Sequence, residues 1–178
     1  MIHYVYEDLW AKLRFLPIGL AVGILAFLFF GALSRQRIRA GKEGLRVTAI
    51  TVFAASAALI LFLTLLSRES GSRQIRIDLE LFSSIGINAR NDAYAVENVL
   101  LFIPFGFSCA WAFLPCRSLW VNLMVGIASS LMIESLQLIT GRGYFQVDDV
   151  WTNTLGAILG WLLFRIISRI VRALRRKL

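Results

Sequence analysis

The stretch "IESLQLITGRGYFQVDDVWTNTLG" runs from Ile133 to Gly156. It begins inside one apolar run and ends inside the next. Glu134 and Gln137 fall within the first run, and Arg142, Asp148, Asp149 and Asn153 follow. Polar side chains are costly in hydrocarbon, so several converging at one face of a membrane require a reason.

The rest of the chain sets the context for that stretch. Of 178 residues, 58% are hydrophobic and 17% charged, and the mean hydropathy is +0.71. This is the composition of a polytopic membrane protein and not of a soluble domain. Five apolar segments are predicted to span as helices: Phe15–Leu33, Val47–Leu66, Val96–Leu114, Leu119–Ile139 and Val150–Ile167. Each approaches the ~20 residues that cross ~30 Å of hydrocarbon. Helices are expected because they satisfy their own backbone in lipid. The predicted fold is thus a single all-α polytopic domain over residues 1–178. A cleavable signal peptide is not expected, since Glu7 and Asp8 stand where a basic region would be.

The net charge of +8 does not point to nucleic acid, because the basic residues flank apolar runs and no nucleic-acid motif is present. Twelve Lys and Arg residues fall on one side of the five-span arrangement, in the loop 34–46, the turn at Arg117 and the tail from Arg165. Seven fall on the other side, with most of the acids. The positive-inside rule then puts the N-terminus outside and the C-terminus in the cytoplasm. The basic tail also suits an anionic lipid surface. Cys109 and Cys116 read as reduced structural thiols, and one histidine with two such cysteines does not suggest a zinc site. No cofactor motif is present.

The one long outer loop lies between Ser67 and Glu97. Its segment "RQIRIDLELFSSI" alternates apolar and charged residues from Ile75 to Leu81, a period-two pattern suited to a strand or an interfacial segment. The loop is expected to lie on the outer face and pack Leu79, Leu81 and Phe82 against the bundle.

With this topology the polar residues share a level. Asn122, Gly126, Ser130, Glu134 and Gln137 form one stripe at 4-4-4-3 spacing. Glu134 lies five residues before the span's outer end, roughly 8 Å deep at 1.5 Å per residue. Glu97 and Asn98 enter with the third span; Asp148, Asp149 and Asn153 enter with the fifth. The candidate binding set is Asn98, Glu134, Gln137, Arg142, Asp148, Asp149 and Asn153, with Glu134 the candidate acid or base. Bland readings stand beside these. Asp148 or Asp149 is expected to cap the fifth helix. Arg142 is expected to pair with Glu134 or with the loop acids. Gly156 and Gly160 form a helix-packing stripe with Asn153 and Ala157. Pro104 frees the Leu100 carbonyl and, beside Gly106, is expected to kink the third span and open a notch toward Glu134.

"ENVLLFIPFGF" followed by "ESLQLITGRGYFQVDDVWTNTLGAILG" resembles the VanZ-like family of small bacterial membrane proteins. The resemblance covers about Ile75 to Leu163. Matching positions are Asn98, Pro104, Gly106, Glu134, Gln137, Gly141, Arg142, Asp148, Asp149, Asn153 and Gly156. Two positions depart: Leu79-Glu80-Leu81 replaces the usual Leu-Ile-Pro, and Gln146 stands where an acid is expected. The resemblance implies a protein of the bacterial cytoplasmic membrane linked to the cell envelope. It also implies an association with resistance to the glycopeptide teicoplanin.

Three function classes follow. The outer notch binds an envelope component, a lipid-linked cell-wall or glycan molecule or an amphiphilic glycopeptide, with Arg142 as anion partner and membrane lipid around it. Alternatively, the chain is a small membrane enzyme acting on lipid-linked substrates, Glu134 serving as acid or base and Asp148 and Asp149 positioning it or holding a cation. Or it is a structural subunit of an envelope complex. A transporter fits less well, with five spans, no repeat and polar groups at one face.

Overall fold

The computed structural model describes residues 44–66 and 77–177, with isolated positions before Gly44. Apart from those positions, the first expected span, Phe15–Leu33, lies outside the described residues. So do most of the basic loop after it and Ser67–Arg76.

Four described helices are long and apolar enough to cross a membrane. They are α1 (Gly44–Leu61, continued by a π turn over Phe62–Leu66), α2 (Ala89–Ala112), α3 (Leu119–Ile139) and α4 (Val147–Arg175). Two short strands, β1 (Ile77–Asp78) and β2 (Phe145–Gln146), pair in parallel with Ile77 opposite Phe145. A 3-10 turn, Pro115–Arg117, joins α2 to α3. The end of the bundle that carries β1 and β2 is here called the loop end. The end at Pro115 is the turn end.

α3 begins and stops where the sequence predicts. Its C-terminus is a Schellman arrangement. The N–H of Arg142 bonds the Gln137 carbonyl at 2.9 Å, and that of Gly141 bonds Leu138 at 3.2 Å. Gly141 has φ +62, which a side chain would resist. α2 starts seven residues before the expected Val96. The Asn88 side chain accepts the N–H groups of Arg90 and Asn91 and so caps it there. Hydropathy misses this first turn because "NARNDAY" is polar, and hydropathy detects lipid exposure rather than helix. α4 runs past the expected Ile167 to Arg175 for the same reason, its last turns being basic.

One expectation about shape is met in part and another is overturned. Among the described residues the period-two pattern forms a strand at Ile77–Asp78 alone, Ile75 and Arg76 lying outside them. Pro104 lies in an unbroken helix and is itself exposed, on the face of α2 away from buried Phe102, Phe105, Gly106 and Cys109. No notch toward Glu134 comes from it.

Glycine sets the closest packing. A Cβ on Gly160 would sit 2.0 Å from the Ile103 carbonyl oxygen, and one on Gly156 2.3 Å from that of Val99. A Cβ on Gly106 would stand 2.1 Å from the Ala157 carbonyl oxygen. α2 and α4 therefore touch backbone to backbone, running in the same direction, as small residues permit. Ile60, Phe102, Phe105, Ile133 and Ala157 form the apolar core. Several hydroxyls within the spans bond their own helix, as Thr64 does to the Ile60 carbonyl at 2.8 Å and Ser135 to that of Leu131 at 2.7 Å. At the turn end, Asn122 donates to the Gly106 carbonyl at 3.1 Å, and the Trp161 indole donates to that of Arg117 at 3.0 Å. Cys109 and Cys116 are both free and buried nearby.

Candidate functional site

The stripe on α3 is its inward face. Asn122, Gly126, Ser130, Glu134 and Gln137 are all buried, and only Ile133 joins them among buried residues of that helix. Glu134 is 1% exposed. Its Oε2 accepts the backbone N–H of Gln146 at 3.2 Å. Gln146 is the N-cap of α4 and makes no side-chain cap of its own. A carboxylate from α3 thus sits at the positive end of the α4 dipole, a favourable place for negative charge.

The expected capping by Asp148 or Asp149 is replaced by a different division of labour. Both lie in the first turn of α4 but point to different partners. Asp148, fully buried, takes the loop before α2: its Oδ1 accepts the N–H of Phe82, and its Oδ2 the N–H and hydroxyl of Ser84 at 2.9 and 2.6 Å. Asp149, half-buried, takes α2: its Oδ1 accepts the Asn98 amide at 2.9 Å. Thr152 lies 3.5 Å from the same amide nitrogen. Asn153 is buried one turn below and donates to Ser130 at 2.8 Å, joining α4 to α3.

The remaining two site residues turn toward α1. Gln137 donates to the Thr64 carbonyl at 3.2 Å, and Arg142 donates through Nη1 to that of Leu65 at 3.3 Å. Both carbonyls belong to the π turn. A π turn and a helix end both leave carbonyls without their usual partner, which is why these two can accept from outside. The guanidinium's contact with a carbonyl of α1 was not among the partners expected from the sequence.

All seven residues therefore gather at the loop end, where α1, α3 and the starts of α2 and α4 meet. Glu97 joins them, buried at 2% exposure on α2. Sequence reasoning missed Thr64, Leu65, Phe82, Ser84 and Thr152. They enter through backbone groups or small hydroxyls and carry no periodic signal. Leu79, Leu81 and Phe82 do not pack on the bundle; they are 70%, 53% and 58% exposed. The loop is held by its backbone instead. The two oxygens of Asp148 already face three donors, so a cation there would have to displace them. Among the described residues, no three His, Cys, Asp or Glu side chains are grouped to hold a metal.

Residues 48–168 match the VanZ/LLP1 family. The chain belongs to that family. The match begins in α1 and ends in α4, so it covers every helix that contributes to the site and one span more than the motifs alone suggested. No curated protein and no solved structure matches the chain.

Proposed function

We propose that this VanZ-family chain is a binding module of the bacterial cytoplasmic membrane. In this reading the loop end is the outer face and takes the polar head of an envelope amphiphile. Suitable occupants share one chemistry: a sugar, amide or phosphate head on an acyl chain, as in a lipid-linked cell-wall component or an amphiphilic glycopeptide.

The observation that carries the reading is a two-layer arrangement. Glu134 and Asp148, each at most 2% exposed, hold backbone on either side of the site. Asn98, Arg142 and Asp149 stand half-buried around them. Buried groups that fix the supports of partly exposed polar side chains are what a preorganised binding rim needs. Burying carboxylates is expensive, and intramembrane acids are functional candidates for that reason. Arg142 offers a planar fork for an anionic oxygen.

A second reading has its own support. Because Glu134 bonds Gln146 directly, the cluster also works as a structural joint with no ligand. The enzymatic reading has less: the oxygens of Asp148 are engaged by the loop.

Lipid and glycolipid analysis of the purified protein tests the proposal. Wild type is expected to retain a specific amphiphile that Glu134→Gln and Asp149→Asn lose while staying folded. Equal retention by wild type and both variants would favour the structural joint.

A further inference from the structure

The outer loop combines two features that rarely occur together. Its large apolar side chains are exposed: Ile77 58%, Leu79 70%, Leu81 53%, Phe82 58% and Ile87 66%. Yet its backbone is pinned at regular intervals. Four alternate N–H groups each donate to a carboxylate. Glu80 donates to Asp78 at 3.2 Å, Phe82 and Ser84 to Asp148, and Gly86 to Asp92 at 2.7 Å. The Ser83 hydroxyl closes on Asp78 as well, at 2.8 Å. Two of these bonds reach Asp148 on α4, so the exposed apolar side chains are held at a fixed height against the bundle.

Phe82 sharpens the point. Its φ is +63, a left-handed conformation that side chains resist, and its N–H is one of those held by Asp148. The ring in that conformation stands 58% exposed. Such strain persists only where the surroundings enforce it.

The level of the loop follows from its anchor. Asp148 lies in the first turn of α4. Trp151, one turn further along, is 49% exposed, and Leu155 and Leu159 below it are 37% and 39% exposed. An exposed tryptophan at the head of an apolar helical face marks the membrane–water boundary. The loop is therefore tied at the height where headgroups meet acyl chains, continuous with the lipid-facing belt.

We propose that Ile77–Ile87 is a membrane-interface anchor, whose apolar side chains enter the leaflet at the loop end and whose position is set by Asp148. Its occupant is the phospholipid surface of the same membrane. This inference does not depend on any ligand for the polar rim.

The test uses full-length protein carrying Cys109→Ala and Cys116→Ala, reconstituted in phosphatidylethanolamine–phosphatidylglycerol vesicles. A nitroxide is attached through Leu81→Cys and its collisions with oxygen and with a water-soluble nickel complex are compared. A label at Leu159→Cys gives the lipid reference, and the same nitroxide on free cysteine in the buffer gives the water reference. The Leu81 label is expected to be oxygen-rich and nickel-poor, shifted toward the Leu159 value. A value equal to that of the free label would mean a solvated loop and overturn the proposal. Shielding from both reagents would mean a protein cover, a second copy or another chain, and would overturn it too. Adding Asp148→Asn should increase the label's mobility and its nickel accessibility. An unchanged spectrum in that variant would overturn the role given to Asp148, and the Leu81 result stands without it.

Discussion

Glu134 on α3 accepts the backbone N–H of Gln146, the residue that opens α4, at 3.2 Å. One side chain thus joins two spans across the Gly141–Phe145 connection. The joint needs an acceptor oxygen, which glutamine also supplies. Glu134→Gln is therefore expected to fold, and Glu134→Ala to lose about 1–3 kcal/mol, the usual cost of stranding a buried donor. Thermal unfolding in detergent measures both. Loss of stability in Glu134→Gln equal to that in Glu134→Ala would show that charge, and not the hydrogen bond, holds the joint.

The α2–α4 contact leaves no space for side chains. Gly160→Val would drive a Cβ to within 2.0 Å of the Ile103 carbonyl oxygen, which is backbone and cannot step aside cheaply. The expected loss is at or above the upper end of the ~1–3 kcal/mol typical of overpacking. Gly44→Ala, where a Cβ meets nothing within 4 Å, is the control and should unfold like wild type. Similar unfolding of the two variants would mean that α2 and α4 part more easily than their packing implies.

The inward face of α3 was legible because burial repeats with the helical period. Five polar or small residues at 4-4-4-3 spacing leave only one face for them. The limits of α3 were legible because Pro115, Ser118 and Gly141 punctuate it. The partners of the site residues were not. Asp148 meets Phe82 and Ser84 across more than sixty residues, and Gln137 meets Thr64 across seventy-three. These bonds use backbone groups that every residue carries, so no residue type announces them. Pro104 illustrates a different limit. Proline chemistry says that a carbonyl is freed but not which way it faces, and Pro104 lies on the side of α2 away from buried Gly106 and Ala110.

The orientation of the bundle is testable with the described residues. Ala89, at the loop end, and Ser118, at the turn end, are both exposed. The charge asymmetry predicts that Ala89→Cys reacts in intact cells with an impermeant thiol reagent, and that Ser118→Cys reacts only after permeabilisation. The buried thiols of Cys109 and Cys116 are replaced by alanine for clean readout. The reverse pattern would turn the polar rim toward the cytoplasm and remove an outer-face ligand from consideration.

Arg142 separates binding from architecture. Its own N–H closes the α3 terminus on Gln137, and its guanidinium donates to the Leu65 carbonyl at the end of α1. The first bond survives any substitution except proline, because it belongs to the backbone. The second is lost in Arg142→Ala, which is expected to cost about 1.5–3 kcal/mol, as for hydrogen bonds made by charged groups. Arg142→Lys keeps the charge but not the planar fork, so it should recover part of the stability at most. Retention of an envelope amphiphile gives the independent readout. If the rim grips an anionic oxygen, Arg142→Ala loses the amphiphile even at temperatures where the variant is fully folded, and Arg142→Lys keeps a fraction of it. Wild-type retention by folded Arg142→Ala would leave Arg142 as the clasp between α1 and α3 and move recognition to Asn98 and Asp149.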